Sequence, residues 1–156
     1  MGAFLWHFSY ARYGLVAQDE GWLLHAATRV AQGEVPYRDF LTAYVPGRYY
    51  LVAAVLESFG SSLPAVRILF CVLRALVVLL TFLIGLRIGN RPMALAAAVT
   101  VAVLPGPWHK TFYTLVPLLT FAPLLRWERT RGAAWLLLAG AVAGAGLWFR
   151  QDAAVA

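Results

Sequence analysis

Residues 64–88 read PAVRILFCVLRALVVLLTFLIGLRI, and this stretch decides the class of the molecule. Crossing a bilayer takes about 20 predominantly apolar residues in a helix. The run is long enough, with Arg67, Arg74 and Arg87 as its interruptions. Working outward, three shorter apolar runs follow at 92–105, 111–126 and 133–149. Spans this short need flanking residues or local bilayer thinning to complete them. The whole chain has 156 residues, 62% hydrophobic and 13% charged, with mean hydropathy +0.71. Soluble domains run about 45–50% apolar and about 25% charged. This balance excludes an ordinary soluble domain, and excludes disorder as well. The expected fold is all-α, a polytopic integral membrane helical bundle with four transmembrane helices within 63–156.

Towards the N-terminus the pattern changes. Residues 1–17 form a partial membrane or interfacial segment, too short and too polar to span alone. It lacks a basic leader, and His7 and Arg12 break its apolar stretch, so it is not a signal peptide. Residues 18–62 are the polar part, holding five of the seven acidic residues. Here Trp22, Leu23, Ala26, Ala27 and Val30 lie on one helical stripe, with Asp19 as expected N-cap and Gly33 as stop. This helix, 21–31, is expected to lie on the membrane surface with its apolar face down. Pro46 opens a second short helix, Gly47–Phe59, which Gly60 ends. The chain stops at Ala156 without a helix-ending residue or polar tail, as expected of a piece of a longer protein truncated there.

Thirteen Lys and Arg against seven Asp and Glu give a net charge of +6. The basic residues stand singly between apolar runs, which argues against a nucleic-acid partner. Arg87 and Arg91 mark one short turn, and Arg126, Arg129 and Arg131 another, with Glu128 as the one acid between them. By the positive-inside rule both turns are expected in the cytoplasm. Alternation then puts 18–62, 105–110 and 150–152 together on the outer side. Six of the seven acids gather there, with Arg48, His109, Lys110 and Arg150. The single cysteine, Cys71, excludes an intrachain disulfide.

Asp19 and Glu20 are adjacent, so their side chains point about 100° apart on a helix. They are first-turn acids complementing a helix dipole, or carboxylates desolvated enough to act as a base. The stretch Gly33-Glu-Val-Pro-Tyr-Arg-Asp-Phe40 and the following Tyr44-Val-Pro-Gly-Arg-Tyr-Tyr50 offer Asp39, Arg38, Arg48 and clustered tyrosines. By itself this reads first as the aromatic belt of an interfacial loop. Pro105-Gly-Pro-Trp-His-Lys110 is a plain turn, or a broken segment that sets His109 and Lys110 over an outer cavity. Arg150 is an interface anchor or an anion contact, and Arg74 a bundle-buried cation. No Cys/His metal-ligand spacing, Gly-rich phosphate loop or nucleophile elbow occurs.

The series Asp19-Glu20-Gly21, Gly33 to Phe40, Pro46-Gly-Arg-Tyr-Tyr50 and Phe59-Gly60 resembles the N-terminal part of GT-C glycosyltransferases. The likeness is to the protein O-mannosyltransferase and lipid A aminoarabinose transferase type, nearest in style to RgtA-like bacterial members. It covers roughly residues 12 to 152. The resemblance implies transfer of a sugar from a polyprenyl-phosphate donor to an extracytoplasmic glycan, lipid or protein acceptor, with inversion. It implies Asp19 as catalytic base with Glu20 its neighbour. Asp39 matches an acid after the Pro-Tyr pair, with Phe40 where some relatives carry lysine. Asp39, Arg38, Arg48, His109, Lys110 and Arg150 are the expected substrate and donor-phosphate contacts. Relatives differ in metal use, so Asp19, Glu20 and Asp39 are the candidate ligands of Mg²⁺ or Mn²⁺. The expected location is the cytoplasmic membrane of a bacterium, active face outward. The competing reading is a transporter or flippase-like protein for lipid-linked or anionic solutes, which also uses Pro/Gly-broken spans and intramembrane arginines. A non-catalytic membrane scaffold is the third.

Overall fold

Helix-stop chemistry divides this chain into short pieces around one long rod. The computed structural model describes residues 1–11, 13, 17–60, 62–104 and 108–150, without the side chains of residues 17 and 109. Seven α-helices are described: α1 Gly2–Ser9, α2 Ala17–Ala31, α3 Gly47–Phe59, α4 Leu63–Ile88, α5 Arg91–Val103, α6 Phe112–Thr130 and α7 Ala133–Leu147. A single 3₁₀ turn, Trp108–Lys110, precedes α6. Among the described residues no strand forms, so the all-helical class holds.

Local signals account for most boundaries. Ser62 caps α4, its hydroxyl accepting from the Ala65 amide at 3.4 Å, with a proline in the first turn. Asn90 caps α5 in the same way, accepting from Met93 at 3.0 Å. Both caps satisfy amides that the first helical turn leaves without carbonyl partners. Gly33 ends the α2 segment at φ 92°, a conformation that costs a glycine little. Two expectations change. α2 begins at Ala17, so Asp19 lies inside its first turn with Glu20 and is not the N-cap. There both acids complement the positive end of the helix dipole. α6 runs on to Thr130, so Arg126 and Arg129 ride on its last turns, and Arg131 closes it at φ 52°.

α4 is the axis. It has 26 residues, its most apolar 18-residue stretch has mean hydropathy 2.7, and it is the described helix that is long and apolar enough to cross a membrane. α5 and α7 are apolar but only 13 and 15 residues long. α6 carries Pro117 and Pro123 inside it. α4 packs against α1, α3, α5 and α6, and α6 packs against α7. Small residues let these helices approach: a Cβ on Gly85 would sit 2.9 Å from Ala94, and one on Gly146 would collide with Val116. Close backbone approach through small residues is how helices associate where lipid supplies no hydrophobic drive.

The apolar stripe of α2, expected against the membrane surface, is covered by α3. Leu23, Ala26, Ala27 and Val30 are buried in one cluster with Tyr49, Val52, Ala53 and Leu56 of α3. The two short helices cover each other, which removes the apolar face a lone surface helix would have given to lipid. Trp22, at the edge of the stripe, stays 48% exposed.

Candidate functional site

Among the described residues, two junctions bring together segments that the sequence reading places on one side. α2 packs on the 3₁₀ turn. The Gly47 amide donates to the Trp148 carbonyl at 2.8 Å, which ties the start of α3 to the end of α7. Glycine is needed at 47, since a Cβ there would collide with that carbonyl. The junction sets Arg48 and Arg150 at the same end of the molecule. Burial, and then the neighbouring Arg48 charge, draw the Arg150 pKa below its ordinary value, while Tyr44 opposes them.

Beside Arg48 lies an open cleft of ≈ 440 Å³ lined by Gln18, Asp19, Trp22, Ala43, Tyr44 and Arg48. Asp19 is exposed to it from the first turn of α2. Arg48 is 7% exposed. Its guanidinium stacks 3.7 Å from the Tyr44 ring centroid and donates to the Tyr49 hydroxyl at 3.2 Å. Its Nε is buried with no hydrogen-bond partner. Among the described residues no carboxylate stands within 4.0 Å of it. A buried cation held by ring faces and a neutral hydroxyl is under-neutralised, and an anion is its natural complement.

Glu20 has another environment. Its Oε2 accepts from Arg67 Nη2 at 2.8 Å, with both side chains under 10% exposed. Arg67 Nη1 also donates to the Ala11 carbonyl at 2.6 Å. This pair fastens α2 and the segment after α1 to α4. Glu20 is thus engaged in the interior and does not line the cleft with Asp19.

Asp39 also holds structure. Its Oδ2 accepts from the Val35 amide at 2.7 Å, and Arg38 forms a bidentate contact to it at 2.8 and 3.0 Å. The hydrogen bonds from Arg38 and from the Val35 backbone hold its pKa down at about 2. Arg29 pairs with Glu34, stacks on Phe40 and donates to the Asp39 carbonyl at 3.2 Å. Tyr37, at φ 67°, is a strained turn residue, and its hydroxyl is bound to the Tyr44 carbonyl at 2.7 Å. The 33–40 motif is therefore a locked loop that positions Tyr44.

The remaining expected residues divide. Lys110 is exposed at the end of the 3₁₀ turn. The His109 side chain, the Pro105–Pro107 break and Asp152 lie outside the described residues, as does Arg12. Arg150 stacks on Tyr113, and Arg74 on Trp108 at 4.1 Å. The expected metal ligands do not assemble. Among the described residues no group of three or more His, Cys, Asp or Glu could hold an ion. A divalent cation needs several converging oxygens, whereas Glu20 is turned to Arg67 and Asp39 to Arg38 and Val35. Among the described residues, Asp19, Glu20 and Asp39 do not converge on one ion site.

Sequence reasoning assigned no site role to Gln18, Trp22 or Tyr44. Trp22 reads as part of the apolar stripe, and its exposure appears only once α3 covers the rest. Arg67 and Glu20 stand 47 positions apart, so no local spacing announces their pairing. Comparison with protein-family models, curated proteins and solved structures found no match to this chain.

Proposed function

We propose that the chain is part of a membrane glycosyltransferase that moves a sugar from a polyprenyl-phosphate donor to an acceptor outside the cytoplasm. The observation that carries this reading is the cleft itself, which sets an exposed carboxylate, Asp19, beside a buried and under-neutralised cation, Arg48, between Trp22 and Tyr44. In the proposed step the acceptor hydroxyl oxygen attacks the anomeric carbon. The bond from that carbon to the phosphate oxygen breaks, the hydroxyl proton passes to Asp19, and polyprenyl phosphate leaves. A positioned base typically contributes about 10²–10⁴-fold. The leaving group needs cations more than a proton, and Arg48 and Arg150 supply them. Single displacement inverts the anomeric centre.

A lipid setting supports the same reading. α4 is long and apolar enough to cross a membrane, and in this reading α4, α5, α6 and α7 all cross it. Leu136, Leu137 and Leu138 of α7 are all exposed, as are Leu79 and Leu83 of α4 and Leu95 and Val99 of α5. A surface so apolar is costly in water and ordinary in a bilayer. The test is sugar transfer in membranes by the complete protein from a panel of polyprenyl-phosphate sugars. Donor-dependent transfer that Asp19→Asn abolishes at unchanged expression supports the proposal. Wild-type transfer by the Asp19→Asn variant refutes the assignment of the base.

A further inference from the structure

At the end of α4 away from the cleft, α4 and α6 enclose a groove of ≈ 180 Å³. Its walls are apolar, with Leu80, Leu83 and Ile84 on one side and Leu125 on the other, and Arg87 and Arg126 also line it. Both arginines are exposed. Among the described residues neither enters an ion pair. The groove is held in shape on both sides. Arg129 donates to the Arg87 carbonyl at 3.2 Å, joining the two helix ends. Arg126 is placed over Trp135 of α7, 5.8 Å from the ring centroid.

We infer that this groove is a binding site for an anionic phospholipid, with an acyl chain along the leucine walls and the phosphodiester between Arg87 and Arg126. Three features argue for this occupant. The volume falls below the roughly 300–1,000 Å³ of small-molecule pockets, yet the lining is continuous apolar surface that suits a narrow hydrocarbon chain. The guanidiniums sit with the apolar walls in one groove, so a single ligand must carry both an anion and a hydrocarbon. Finally, Arg87, Arg91, Arg126, Arg129 and Arg131 share this end with Glu128 as the one acid among them, a charge balance complementary to anionic headgroups. Basic pockets between helices on the cytoplasmic side bind such lipids. The inference rests on the membrane placement proposed above and is independent of the transfer chemistry.

The experiment reconstitutes the full protein in phosphatidylcholine vesicles doped with phosphatidylglycerol, then counts retained lipids by native mass spectrometry. Phosphatidylglycerol is expected to be retained over phosphatidylcholine. The double variant Arg87→Gln/Arg126→Gln lowers that preference by about 25-fold, at roughly fivefold per arginine. Leu83→Trp, which fills the groove and leaves every charge in place, lowers retention as well, while Arg91→Gln/Arg131→Gln keeps most of it. Equal losses from both arginine pairs, or retention untouched by Leu83→Trp, would overturn the site in favour of diffuse surface charge. Displacement of the lipid by soluble glycerol phosphate would overturn it in favour of a free-anion site. Sugar transfer is a separate readout, so loss of either property leaves the other measurable.

Discussion

Arg48 and Arg67 are both 7% exposed, on neighbouring helices of one chain, and they do opposite things with their charge. Arg67 is neutralised where it stands by Glu20 at 2.8 Å and further held by the Ala11 carbonyl. Arg48 has two tyrosine rings and one hydroxyl, and among the described residues no carboxylate within 4.0 Å. Burial costs a guanidinium dearly unless something compensates it. In the Arg67 region the compensation is internal, and the result is a fixed strut between α2 and α4. In the Arg48 region it is incomplete and opens on a cleft. The difference separates two neighbouring acids of α2: Glu20 is engaged by Arg67, and Asp19 lines the cleft beside Arg48.

The largest effect that would break this comparison is expected at the strut. Removing one partner of a buried ion pair costs about 3–5 kcal/mol, because the other charge is left behind. Glu20→Ala should therefore lower unfolding stability in detergent by about that much. The double change Glu20→Leu/Arg67→Met should recover most of the loss, since a well-packed apolar pair replaces a buried ionic one at little cost. If Glu20→Ala left stability unchanged, the structural role of the pair would fall.

A smaller effect is expected at the junction that carries Arg48 towards Arg150. Gly47→Ala drives a methyl into the Trp148 carbonyl, and such overpacking costs about 1–3 kcal/mol. Thermal unfolding reads the cost. The same variant should also weaken donor binding by displacing Arg48, which sharpens the contrast with the strut, where damage is to stability alone.

The smallest effect is a pH response of the 33–40 loop. Asp39 is a group whose folded pKa is lowered, from the ordinary 3.8 to about 2, first by Arg38 and then by the Val35 amide. Its contribution is complete above the ordinary value and is lost as pH falls through the folded one. The protection of the Val35 amide, the slowing of its exchange relative to an unstructured chain at the same pH, should therefore fall between about pH 4 and pH 2. In Asp39→Asn it should be low throughout and free of that step.

Much of this architecture is legible in residue order, for identifiable reasons. Pro46 and Gly60 bracket α3 as expected, because proline suits a helix start and glycine a helix end. The four apolar runs match α4 to α7 within a few residues. The misplaced start of α2 has a simple cause: Ala17 and Gln18 favour helix, and so carry it two residues ahead of Asp19. Asp19 and Arg48 were legible as chemistry, and the cleft that joins them was not. It depends on α2 covering its apolar stripe with α3, a tertiary choice that periodicity cannot distinguish from lying on lipid. The role of Asp39 was hidden for a related reason, since a carboxylate that accepts from a backbone amide four residues back looks the same in sequence as one waiting for a ligand.

The central claim is that Asp19 acts on the acceptor while Arg48 holds the donor phosphate. It is tested most directly by initial rates of sugar transfer against donor concentration for the wild type, Asp19→Asn and Arg48→Gln in reconstituted membranes. Asp19→Asn is predicted to lower kcat by about 10²–10⁴-fold with little change in donor KM. Arg48→Gln is predicted to raise donor KM and to lower kcat, because its charge serves both the bound phosphate and the departing one. Wild-type kcat in Asp19→Asn, or donor KM unmoved by Arg48→Gln, would contradict the account.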